Sequence, residues 1–195
     1  MKKLSNITWQ AGGSTDTAML NALPTGLREL TSATGGFIIH HGAIHFRGCT
    51  LEPKWNSIRE LYWGDASLKM KYPAMELDDI PFAHDQFGDF YLWRDSEIFR
   101  LDSETGGVNR FEHSLDLFLE GIEANIKDYL NVSLDRPLEP GRAFHAYPPF
   151  CSVEAAEGVT WRDVPVEELI EFHADFARQI RDLPELSQIS TEVIK

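Results

Sequence analysis

The side chains most able to do chemistry are concentrated between residues 76 and 97. Glu76, Asp78, Asp79, Asp85, Asp89, Asp95 and Glu97 fall within twenty-two residues, against Arg94 alone. The stretch "IPFAHDQFGDFYLW", residues 80–93, sets Phe82, Phe87, Phe90, Tyr91 and Trp93 among them. Carboxylates at this density suit three kinds of work. A pair performs acid–base catalysis when one member sits in a dry pocket with a raised pKa, and nothing in the residues shows a pocket. Oxygens at alternate positions with a distant Glu bind calcium, a spacing that Asp85, Gly88 and Asp89 lack. Acids on a rim beside aromatic anchors grip and steer a basic partner. The third reading makes Asp78, Asp79, Asp85, Asp89, Asp95 and Glu97 an acidic contact surface. Taken singly, each residue is better explained by a solvated face above core aromatics. Locally, "HDQFGD" reads as a turn: Asp85 can accept a backbone N–H two residues on, and Gly88 can take positive φ without steric cost.

The histidines carry less. "HHGAIH" supplies His40, His41 and His45, but an i, i+4 pair binds zinc on a helix and this segment reads as strands. They are expected at the surface or half-buried. His173 falls on the apolar side of a helix, where a core histidine is commoner than a ligand. No GxSxG elbow, P-loop, Rossmann fingerprint or HExxH motif occurs. The sequence therefore names no catalytic residue, no metal ligand and no cofactor.

The elements that would position these groups follow from periodicity and punctuation. "LPTGLRELTSATGGF" predicts a short helix, with Pro24 in its first turn and Gly35-Gly36 as its stop. "FIIH" and "AIHFRG" predict a hairpin about Gly42. "EPKWNSIRELYWG" has helix spacing, with Trp55, Ile58 and Tyr62 on one side. "GDFYLWRD" is apolar on both faces, Phe90 and Leu92 on one and Tyr91 and Trp93 on the other, as in a central strand. "SEIFRLD" alternates, with Phe99 and Leu101 opposite Arg100. "ETGGVNRFEH" adds a turn and another strand. Their closeness in sequence predicts an antiparallel meander. "SLDLFLEGIEANIKDYL" predicts the clearest helix, capped by Ser114 and striped by Leu115, Phe118, Leu119, Ile122, Ile126 and Tyr129. Gly121 within it suggests a close approach to the sheet. Residues 1–16 read as loose. From residue 131 the chain is proline-rich, an extended crossover in which Phe144, Tyr147 and Phe150 need burial. A final helix follows, with Pro165 in its first turn and Leu169, Phe172, Phe176 and Ile180 on one face.

A chain of 195 residues, 43% hydrophobic and 25% charged, can bury a full core. No apolar run approaches the roughly 18 residues of a membrane span, and the start lacks the apolar core of a secretory signal. Cys49 and Cys151 form no CxxC pair, which fits a reducing cytoplasm. The net charge of −13 is uneven: +3 over residues 1–75 and −16 beyond. That excess disfavours nucleic acid as a partner and favours a basic protein, although acidity for solubility alone is the plainer reading.

The order "LPTGLRELTSATGGF", "IPFAHDQFGDFYLW", "EIFRLDSETGGVNRFEHSLDLFLEGI" resembles the SUKH superfamily, the Smi/Knr-type group of bacterial immunity proteins and yeast cell-wall-assembly regulators. The match covers about residues 20–130, with "PFAHDQFGD" its strongest element. The resemblance implies an α+β fold, an antiparallel sheet flanked by helices, here with a C-terminal helical extension. It sets residues 1–130, ordered from about residue 17, as the family domain and residues 131–195 as an extension packed on it. It further implies a cytoplasmic, non-enzymatic protein that binds and neutralises a cognate toxin, such as a nuclease or deaminase with a basic active-site surface. The alternatives are a regulatory scaffold of the yeast type and, from another class, a metal-dependent hydrolase.

Overall fold

A computed structural model describes residues 4–64, 66–183 and 189. Its frame is a seven-stranded antiparallel sheet in which each strand lies beside its neighbour in sequence. The strands are β1 (Ile7–Gln10), β2 (Phe37–Ile39), β3 (Ile44–Phe46), β4 (Ile80–Asp85), β5 (Phe90–Arg94), β6 (Glu97–Leu101) and β7 (Val108–Glu112). The α+β class and the meander expected from the sequence are present. Residues 1–16 are not all loose: β1 pairs with β2 and closes one edge of the sheet.

Helices α1 (Thr17–Ala22) and α2 (Thr25–Ser32) precede β2. Asp16 caps α1 by accepting from the Met19 N–H, whereas Pro24 stands at the N-cap of α2 rather than inside it. The segment "EPKWNSIRELYWG" is not one helix. A single 3₁₀ turn at Lys54–Asn56 and the short α3 (Ile58–Tyr62) are separated by extended Ser57, so Trp55 and Ile58 pack on opposite faces of the sheet. After α4 (Leu68–Lys71), the long helix α5 (Leu115–Leu130) follows β7. Ser114 accepts from the Leu117 N–H at its start, as expected of an N-cap.

The pleat divides the core into two layers. On the first face, Ile44, Phe46, Phe82, Tyr91 and Ile98 meet Leu27 and Leu30 of α2 and the Phe118–Leu119–Ile122–Ile126 stripe of α5. Phe118 is central to this layer, its ring beside those of Phe46, Phe82, Tyr91 and Phe111. Gly121 does not mark an approach to the sheet. A Cβ there would stand 2.4 Å from the Tyr129 ring of the same helix. That ring folds back because α5 breaks at Asn125 (φ −166°, ψ 82°), whose side chain bonds the Asp128 N–H and carboxylate.

On the second face, Phe90, Leu92 and Leu101 meet the C-terminal region. There the crossover forms a hairpin, β8 (Arg142–Tyr147) with β9 (Thr160–Pro165), which runs into α6 (Val166–Ile180). Ala143, Val164, Val166, Leu169, Ile170, Ala174 and Ala177 bury against the sheet, so residues 131–180 supply half of the buried residues of this second layer. The buried side of α6 differs from expectation. Leu169 is buried as predicted, but Phe172 is 40% exposed and Ala174 and Ala177 face inward instead. Small residues let the helix sit close to the sheet. Pro165 is the N-cap residue, and Phe144 is buried while Tyr147 and Phe150 remain exposed. Both cysteines are free. Among the described residues no helix is long and apolar enough to cross a membrane.

Candidate functional site: two ends of the sheet

The strand register separates the six carboxylates singled out by the sequence. Ile80 pairs with Trp93, Arg94 with Glu97, and Ile98 with Glu112. The start of β4, the β5–β6 turn and the end of β7 therefore share one end of the sheet. That end carries Asp78, Asp79, Asp95 and Glu97, joined by Glu76 and Glu112. Asp85 and Asp89 lie in the β4–β5 turn at the opposite end, a strand length of roughly 17–20 Å away. The six are therefore not clustered, and Asp79 and Asp85 are buried.

Nor are all of them available. Asp79 is 2% exposed and is consumed internally. Its oxygens accept Arg94 Nε at 2.6 Å, Arg94 Nη2 at 2.7 Å and the Glu76 N–H at 2.7 Å. Arg94 also reaches Glu76 Oε1 at 2.8 Å and lies over the Phe99 ring. Asp78 and Asp95 are exposed, the latter with Ser96 in a positive-φ turn. Glu97 is partly exposed, 3.4 Å from Arg110 Nη1 and from His113 Nδ1. Between Glu76 and Asp78 stands Leu77, 84% exposed. With Asp79 buried, this end offers Glu76, Asp78, Asp95, Glu97 and Glu112 beside Arg94 and Arg110, together with a bare leucine.

The opposite end is built on the turn "HDQFGD". Asp85 Oδ1 accepts the Phe87 N–H at 2.9 Å and the Asp89 N–H at 3.2 Å, and Gly88 has φ +86°, as the sequence requires. Gly88 is also held close, since a Cβ there would meet Leu169 at 3.0 Å. Asp89 accepts Arg100 Nε at 3.0 Å, a second bond from Arg100 Nη2, and the Ser103 N–H at 2.9 Å. Burial raises the pKa of both Asp85 and Asp89 above the ordinary carboxylate range, helped by the Asp89 charge at Asp85 and the Asp102 charge at Asp89, against the pull of Arg100.

Beside this turn opens a cleft of about 370 Å³. Its walls come from distant parts of the chain: Phe87 and Asp89, Arg100 to Glu104 after β6, Lys127 to Ser133 at the end of α5, and Phe150 and Trp161 from the C-terminal hairpin region. Phe87 meets Phe150 and Trp161 edge to face, with centroids 5.0 and 5.1 Å apart. Glu104 ties the hairpin region down by accepting the N–H groups of Phe150 and Cys151 at 3.1 and 3.0 Å. Sequence reading finds only Phe87 and Asp89 here. No local pattern links Lys127, Phe150 and Trp161.

The histidines take structural places. His45 and His84, from adjacent strands, lie under Trp55, with His45 Nδ1 3.0 Å from His84 Nε2. His45 Nε2 is 2.9 Å from Asn56 Oδ1, and His84 Nδ1 donates to the Asp85 carbonyl at 3.0 Å. Burial holds both imidazoles neutral, with His84 pushed down to about 3. His173 is buried, as the sequence predicts. Among the described residues no three His, Cys, Asp or Glu side chains are grouped as metal ligands.

The chain matches no family model, no curated protein and no solved structure.

Proposed function

We propose that this protein acts by stoichiometric binding, as a SUKH-type immunity protein that neutralises a toxin domain with a basic active surface. The observation that carries the reading is the acidic end of the sheet. Asp78, Asp95, Glu97, Glu76 and Glu112 share this end with exposed Leu77, and among the described residues Arg94 and Arg110 pair with Glu76 and Glu97. An apolar anchor ringed by one sign of charge is suited to a protein partner: the anchor contributes desolvation and the ring contributes steering. A nuclease presents complementary chemistry, since its active site must attract phosphates. The antiparallel meander flanked by helices agrees with the architecture that the family resemblance implies. Asp79, Asp85 and Asp89 support the scaffold and do not belong to the contact surface.

Co-expression with the product of the neighbouring gene tests this. Restored growth of cells producing that product, together with a copurifying one-to-one complex, is expected. A neighbour that is harmless alone, or a toxic one that neither binds nor is relieved, would overturn the proposal.

A further inference from the structure

The cleft beside the β4–β5 turn lies at the end of the sheet away from the acidic rim, so its role stands apart from partner binding. Its hydrogen-bonding capacity is lopsided. Each carboxylate along it already accepts a hydrogen bond: Asp89 from Arg100 and the Ser103 N–H, Asp102 from the Thr105 N–H, Glu104 from two N–H groups. Donors also remain unused. Arg100 bonds through Nε and Nη2, which leaves its Nη1 hydrogens. Lys127 has no acid partner among the described residues, and the buried Trp161 Nε1–H has no acceptor. The cleft is thus lined both by cationic donors, Arg100 and Lys127, and by the clustered rings of Phe87, Phe150 and Trp161.

We propose that this cleft binds a small organic carboxylate with a flat apolar body, its carboxylate held by Lys127 and Arg100 and its body against Phe87, Phe150 and Trp161. The volume is at the lower end of the roughly 300–1,000 Å³ usual for small-ligand sites, which suits a single ring with a short acidic arm. Charge-assisted bonds to a carboxylate are about twice as strong as neutral ones, so the anion is preferred over an isosteric amide.

Three probes of one shape test the idea on the full chain: phenylacetate, phenylacetamide and phenethylammonium. Calorimetric titration is expected to give saturable binding of phenylacetate. The amide should bind about tenfold more weakly and the ammonium not measurably. Amide and indole N–H resonances should shift around Trp161 Nε1. Lys127→Gln should weaken phenylacetate about tenfold, and Phe150→Ala should weaken all binding. Lys127 also sits near the C-terminus of α5, so the unfolding midpoint of each variant is measured to separate folding from binding. Failure of phenylacetate to saturate, binding of the ammonium as tight as that of the carboxylate, or unchanged affinity in folded Lys127→Gln would overturn the assignment. Each of those results leaves the partner-binding proposal standing.

Discussion

Arg47 offers a quantitative test of how the second layer of the core is held together. It follows β3, is 1% exposed, and has no carboxylate within salt-bridge distance among the described residues. Only Nη1 has an acceptor, the Ser57 carbonyl at a long 3.4 Å, while Nε and Nη2 have none; the group lies over the Phe90 ring at 5.8 Å. Burial pushes its pKa down from the ordinary guanidinium value to about 9, and the attraction of Glu167 only partly opposes this. At about 1.4 kcal/mol per unit, keeping the charge buried costs about 4–5 kcal/mol. Arg47→Met retains the apolar stem and removes the charge. It forfeits the ring contact, about 1 kcal/mol, and the long hydrogen bond, about 1 kcal/mol. Arg47→Met is therefore expected to stabilise the protein by about 1–3 kcal/mol, as apolar replacement of buried charge often does. Urea unfolding followed by tryptophan fluorescence reads this as a higher midpoint at unchanged slope. A variant less stable than the parent by about 1 kcal/mol or more would show that the guanidinium is satisfied in solution and would refute the desolvation argument.

Asp79→Asn is expected to cost about 3 kcal/mol in urea unfolding, because it leaves Arg94 largely buried with only Glu76 to pair. A cost under about 0.5 kcal/mol would show that the pair is not structural. The buried histidines set the acid limb of stability. Unfolded histidines take up protons as pH falls through about 6.5. Native His84 and His173, held down to about 3 and about 4, do not. Stability should thus decline as pH drops from about 6.5 toward those values; a flat profile over that range contradicts their burial as neutral groups. Asp85 acts oppositely, since the native state keeps a proton that the unfolded chain releases near pH 3.9. Asp85→Asn should therefore leave stability nearly unchanged at pH 4 and raise it at pH 8; equal effects at both would show that Asp85 ionises normally.

The legible parts of this fold are those where local pattern and tertiary contact agree. The two-sided "FYLW" and the alternation of "EIFRL" set strand faces correctly because a pleat has a strict period of two. The α5 stripe and the Asp85–Gly88 turn were equally readable, each depending on a few neighbouring residues. Three features were not. β1 carries too little apolar side chain to announce itself and is a strand because β2 leaves it an edge. The buried face of α6 runs through Ala174 and Ala177, whereas sequence reading favoured the larger Phe172 and Phe176. The carboxylates are close along the chain, which suggests one surface, yet the turn from β4 to β5 carries Asp85 and Asp89 to the far end of the sheet. The cleft was invisible for a related reason: Lys127, Phe150 and Trp161 meet only after the hairpin folds back over the turn.

The central claim is that the Asp78–Asp95–Glu97 end of the sheet grips a basic protein. Its most direct measurement is calorimetric titration of the neighbouring gene's product, the proposed partner, at low and high salt, with the parent and with an Asp78→Lys, Asp95→Lys, Glu97→Lys triple variant. The account predicts tight one-to-one binding to the parent that weakens at least about tenfold in high salt. The triple variant, folded as the parent is, should lose most of the low-salt affinity. Affinity indifferent to salt and to all three reversals would contradict it.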